Sequence, residues 1–330
     1  MSEISADNDF NKSEKVEKVR VVTPGQLVLR RFMRNKLAIA GFIMLIVMGL
    51  FSFAGPLFSP YGEYEIFYQQ NGEKLINPTD EKMREKGVRL YDKTGPSLEH
   101  WLGTNENGQD VLIRMMHGGR ISMLIGLFCV FIEILIGMTL GGIAGYYGKW
   151  VDMLIMRVVD IFYCIPFFPV VLISGVIMNE MKVPQSMRIY ALVVIMGLLG
   201  WASVARMVRG QILSLREQEY IMAAEATGIR PMKKIFKHLL PNVMPQLIVN
   251  ATLGIGSVIL TEAALSYLGF GVPTPYASWG NMVSSVVDTN ILRYNMNIWI
   301  PPGVCILITV MAFNFLGDGL RDAFDPKLKR

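Results

Sequence analysis

Six stretches of mostly apolar residues, at 37–58, 121–145, 153–178, 190–208, 243–268 and 295–316, constrain this chain more than any other feature. A helix rises about 1.5 Å per residue and a bilayer's hydrocarbon core is about 30 Å thick, so roughly 20 apolar residues suffice to cross it. The expectation is an all-α integral membrane protein with six transmembrane helices. Composition agrees: 52% of the 330 residues are hydrophobic and 18% are charged, against about a quarter charged in soluble domains.

Orientation follows from the flanks, because cytoplasmic segments collect Lys and Arg. Arg30, Arg31, Arg34 and Lys36 precede the first stretch, and Lys149 and Arg157 lie where the second meets the third. Arg209, Arg216, Arg230, Lys233, Lys234 and Lys237 fill the fourth-to-fifth connection, and Arg321, Lys327, Lys329 and Arg330 follow the last. The opposite short connections hold Lys182, Arg188 and Arg293. Both termini are therefore expected in the cytoplasm, and topology accounts for the net charge of +5 better than nucleic acid does. No cleavable signal is expected, since a long polar arm precedes a first stretch that is itself long enough to span.

Residues 1–22 read as a disordered cytoplasmic arm, and 23–58 as an interfacial helix followed by the first span. Thr23 and Pro24 suit a helix N-cap and first position; the alternative is a plain extension of the span. Residues 59–112 form a hydrophilic, extracytoplasmic excursion, either a cap that touches a delivery protein or a solvated spacer. Residues 113–318 are the membrane core, with a polar loop at 213–242, and 319–330 a cytoplasmic tail. Cys129, Cys164 and Cys305 fall inside spans and read as packing residues. His100, His117 and His238 are too scattered to suggest a metal site.

The polar loop carries the most specific local chemistry. If residues 219–227 are helical, Tyr220, Ala223, Ala224 and Thr227 share one face at spacings of three and four. Paired alanines there would leave a smooth surface for another protein. Gly228 suits a left-handed cap, Pro231 the start of a second short helix, and Pro241 an obstacle to its continuation. A kinked pair of short helices is expected; the alternative is an ordinary basic connector.

These residues resemble the "EAA" coupling loop of ABC importer permeases: Ala223 and Ala224, then Gly228, then Leu240 and Pro241 at a fixed interval. The first position of the triplet is Met222 here. The resemblance covers nearly the whole chain after the arm, and is to the C-type permease of peptide and nickel importers. Its residues are His100-Trp101-Leu102-Gly103-Thr104, Gly108-Gln109-Asp110-Val111-Leu112, Gly119-Arg120-Ile121-Ser122, Ala144-Gly145-Tyr146-Tyr147-Gly148, Leu265-Ser266-Tyr267-Leu268-Gly269, Ser278-Trp279-Gly280 and Leu316-Gly317-Asp318. It implies a type I ABC importer permease fold in a bacterial or archaeal plasma membrane, and Tyr220, Met222, Ala223, Ala224, Glu225, Thr227, Gly228, His238, Leu240, Pro241 and Asn242 as ATPase-coupling residues. It also implies a second related permease, two ATPase subunits that use ATP and Mg, and an extracytoplasmic substrate-binding protein as partners. Peptides are the implied cargo, with nickel complexes or glycoside-like solutes as alternatives.

Within the spans, Gly137, Gly141 and Gly145 recur every four residues, the pattern of close helix packing. Pro166 and Pro169 should kink the third span. Glu133 lies deep in an apolar run and should face the bundle interior, where it is a candidate for the translocation pathway. Arg157 and Asp160 are spaced for an ion pair. No Walker A sequence is present, because Gly145 to Trp150 lacks its spacing and its hydroxyl residue. The chain itself is expected to bind no cofactor and to catalyse no reaction. The competing functional readings are a gradient-driven secondary transporter, expected to show inverted repeats, and a membrane scaffold that does not transport.

Overall fold

The computed structural model describes residues 24–325 apart from Lys86. The arm 1–22, the Thr23 cap and the basic residues after Asp325 lie outside the described residues. Helix α1 (Pro24–Phe32) is separate from α2 (Lys36–Phe53), because Asn35 caps α2, its Oδ1 accepting from the Leu37 and Ala38 amides. The first span is therefore not simply extended backwards.

Residues 59–110 are not a bare loop. Strand β1 (Phe67–Gln70) pairs antiparallel with β2 (Glu73–Ile76) and β3 (Arg89–Leu90), in the order β2-β1-β3, with the short helix α3 (Asp80–Met83) between β2 and β3. Gln70 faces Glu73, leaving the two-residue turn Asn71-Gly72 with φ of 52° and 90°, the left-handed geometry that matches strand twist. His100 is fully buried against the rings of Tyr61, Phe67 and Tyr91, and its Nδ1 lies 2.8 Å from Asp110 Oδ2. Asp110 Oδ1 also accepts from the Ile113 amide. One carboxylate thus joins the centre of this cap to the start of α4 (Val111–Tyr147).

Helix α5 (Lys149–Cys164) and α6 (Phe167–Glu180) bend by 74° across a short break. The break falls at the predicted prolines: Pro166 caps α6 and Pro169 sits in its first turn, where a missing N–H costs nothing. Next come α7 (Gln185–Leu215), α8 (Glu219–Ala226), α9 (Pro231–Lys234), a π turn (Ile235–Leu239) and α10 (Leu240–Tyr267). Two short helices, α11 (Trp279–Val283) and α12 (Thr289–Tyr294), precede α13 (Met296–Phe324). Among the described residues, five helical segments are long and apolar enough to span a membrane, and the bent α5–α6 pair makes a sixth when taken as one span.

Small residues set the packing. Helices α4 and α7 run side by side in parallel. A Cβ on Gly137 would lie 2.6 Å from Val204, on Gly141 2.4 Å from the Ala205 carbonyl, and on Gly145 2.7 Å from Ile212. The glycine stripe is a helix contact, as its spacing predicts. Helix α13 packs antiparallel against α2, again through small residues, with Gly319 on Ala38 and Gly41 on Ala312. Cys129 and Cys305 are buried, whereas Cys164 is exposed at the α5–α6 break, contrary to its reading as a packing residue.

Candidate functional site

At the end of the bundle away from the cap, α8 and α9 form a compact knuckle. Helix α8 ends as its sequence requires. Gly228 has φ +75°, its amide donates to the Glu225 carbonyl at 2.9 Å, and the Ile229 amide donates to the Ala224 carbonyl at 3.2 Å. These two bonds are the pair that closes a helix over a left-handed residue. Pro231 opens α9.

The structure corrects two expectations here. Tyr220, Ala223 and Thr227 are exposed, but Ala224 is buried with Ile221 against the bundle. Its small side chain lets α8 approach the membrane helices rather than smoothing the outer face. Nor does Pro241 end the second short helix. The π turn widens the helix so that the Leu240 amide reaches the Ile235 carbonyl, and α9 continues through it into α10. The expected kinked pair is instead one short helix and the root of a long one.

Several loop residues are brought together. Asn242 Nδ2 donates to the Tyr220 hydroxyl at 3.2 Å and to the His238 carbonyl at 2.6 Å, joining α8 to the root of α10. Ile221, Ile235, Leu239 and Leu240 share one apolar cluster with Val204, Val208 and Ile212 of α7. Lys234, which sequence reasoning counted only as a topological charge, is 3% exposed; its Nζ lies 3.5 Å from Glu225 and over the Tyr146 ring. Met222 and Glu225 are exposed, and Glu225 turns back toward Lys234. Arg209 forms a two-pronged pair with Asp152, tying α7 to α5. The expected Arg157–Asp160 pair stands at 4.0 Å, but Asp160 is held closer, at 3.0 Å, by Arg206.

Midway along the bundle, Glu133 packs over Gly200, where a Cβ would fall 2.0 Å from its carboxylate. It lines a cavity of about 200 Å³ with Ser203, Asn250 and Ser257. Another acidic residue, Glu262, was missed although an Asp or Glu inside an apolar run is a visible signal. It is fully buried and accepts from Ser266 at 2.7 Å and Ser278 at 2.9 Å, holding the α11 segment onto α10. Next to it, Trp279 is fully buried and donates to the Met115 carbonyl at 2.9 Å.

At the cap end, a cavity of about 610 Å³ opens between α6, α7 and the 266–285 segment, and a second of about 500 Å³ adjoins it under the β-sheet. Outside the spans, burial raises the Glu106 carboxyl above its ordinary range. Burial and then Glu63 push the Tyr64 phenol to about 12.

Comparison with known proteins agrees with this architecture. Residues 137–330 match the family described as binding-protein-dependent transport system inner membrane component. Residues 23–78 match the N-terminal transmembrane domain of oligopeptide transport permease C. The oligopeptide transport system permease protein OppC of Bacillus subtilis is 36% identical over 91% of this chain and 88% of its own length. The dipeptide permease DppC of the same organism is also 36% identical, over 91% and 85%. OppC of Haemophilus influenzae is 36% identical over 90% and 87%. The chain belongs to the binding-protein-dependent transport permeases, as a multi-pass permease subunit with the type I ABC importer fold.

Proposed function

We propose that this chain forms half of a peptide-conducting pathway, paired with a second related permease and driven by two separate ATPase subunits. Its relatives are named for oligopeptide and dipeptide transport. The observation that carries the reading is the knuckle. Helix α8 projects Tyr220, Ala223 and Thr227 outward while Ile221 and Ala224 anchor it on α7 and the root of α10. A partner that grips the outer face therefore moves two membrane helices with it.

The basic flanks support an orientation with the knuckle and both termini in the cytoplasm and the β-cap outside, facing a substrate-binding protein. Nucleotide-driven closure of the ATPases shifts the knuckle, and differential nucleotide binding shifts the population between inward- and outward-open bundles. ATP and Mg act in the partner subunits, and this chain supplies the pathway. Affinity capture of the tagged chain from its native membrane tests the assembly. ATPases and a second permease are expected to co-purify, and captured vesicles should take up labelled tripeptides only with ATP. Capture of the chain alone, with tripeptide uptake that ignores ATP, would refute it.

A further inference from the structure

The two cap-end cavities share Arg114, Asn107, Gln185 and Thr274 in their walls. Arg114 lies one turn into α4 and is 4% exposed. A guanidinium offers five donors in a planar fork. Here Nη1 donates to the Pro275 carbonyl at 3.1 Å, and the buried Nε has no partner. Among the described residues, none of the ion pairs within 4.0 Å includes Arg114. Glu63, the carboxylate whose charge acts most strongly on Arg114, is engaged elsewhere: it lies 3.4 Å from His117 and accepts from the Ala277 amide at 3.3 Å. Glu106 shares the larger cavity but acts on Arg114 only from beyond contact range.

A buried, permanently charged group with an unused donor is costly unless something supplies the missing acceptor. Carboxylate is the geometric complement of that fork. The surrounding wall combines amide and hydroxyl groups, such as Asn179, Asn281 and Ser285, with apolar Val171, Leu192 and Phe270. Cavities of about 300–1,000 Å³ hold ligands the size of a short peptide. We propose that Arg114 receives the C-terminal carboxylate of an incoming peptide in a chamber at the outer mouth of the pathway. This rests on the peptide reading above and adds to it a specific recognition contact.

The test uses the complete importer with its substrate-binding protein in proteoliposomes, comparing uptake of trialanine and of trialanine C-terminal amide. The binding protein is the same throughout, so its own preference cancels when variants are compared. Arg114→Gln should lower the acid-to-amide uptake ratio about tenfold or more, since a charge-assisted contact is lost. Arg114→Lys, which keeps the charge but not the fork, should lower it less. Peptide uptake with an unchanged ratio in these variants overturns the proposal and leaves the peptide reading standing. Weaker docking of the binding protein with an unchanged ratio assigns the carboxylate to that protein and also overturns it. Uptake of neither peptide by the wild-type importer overturns both readings. Should the variants fail to assemble, the wild-type importer without its binding protein decides: trialanine should displace bound labelled trialanine at least about tenfold better than the amide does. Equal displacement overturns the proposal.

Discussion

Replacing Gly228 separates backbone geometry from side-chain bulk at the knuckle. Its φ of +75° is the left-handed region, and no atom lies within 4 Å of where a Cβ would stand. Strain is therefore the only local cost, about 1–2 kcal/mol for an ordinary L-residue. That is a factor of about 5–30 in the equilibrium between the closed and frayed end of α8. Asn visits this region more readily than Ala despite its larger side chain, and a β-branched residue is the least tolerant. Hydrogen exchange of the Gly228 and Ile229 amides in the purified full chain reads that equilibrium directly, since both bonds depend on the cap. The expected order of protection is Gly228, then Gly228→Asn, Gly228→Ala and Gly228→Val. Protection that instead falls with side-chain volume, Asn below Ala, or that is unchanged in Gly228→Ala, would refute the argument.

Gly141→Leu should separate α4 from α7 and lower thermal stability sharply. Gly210→Ala, in the same bundle with nothing within 4 Å of its Cβ, should be neutral or stabilise by about 0.5–1 kcal/mol in a melting series. A double-mutant cycle on Arg209 and Asp152 should give a coupling of about 1–3 kcal/mol, against under about 0.5 kcal/mol for the exposed Arg157–Asp160 pair. In cells, a membrane-impermeant maleimide should label a cysteine at Leu98, which is 97% exposed on the cap, and should miss one at Lys233; the reverse pattern would invert the proposed topology. Gly228→Trp should abolish uptake while leaving membrane insertion intact, and normal uptake would count against the coupling role of the knuckle.

What the sequence revealed depends on the length scale of the physics. Membrane spans announce themselves because hydrocarbon demands about 20 apolar residues in a row, and the bend of the third span followed from where Pro166 and Pro169 stand. Gly228 and the Gly137-Gly141-Gly145 stripe were legible because each answers to a local rule. The β-cap was harder: β3 has two residues, too few to show alternation. Even so, Asn71-Gly72 is a strong hairpin signal and was passed over. The inward turn of Ala224 and the burial of Lys234 depend on which face of α8 meets α7 and α10, a choice that pairwise spacing leaves open. The passage past Pro241 required a π turn, which no residue type specifies. Arg114 gave no warning either, since its isolation is created by α4 meeting the Pro275 segment some 160 residues later.

The most direct test of the account is uptake by proteoliposomes containing this chain and its companion permease, assembled with and without the ATPase subunits. Tripeptide should accumulate only when the ATPases are present and hydrolysing, and should stop when α8 is deleted with the permeases still inserted. Accumulation at full rate without any ATPase would contradict the claim that this chain is moved by an engine outside itself.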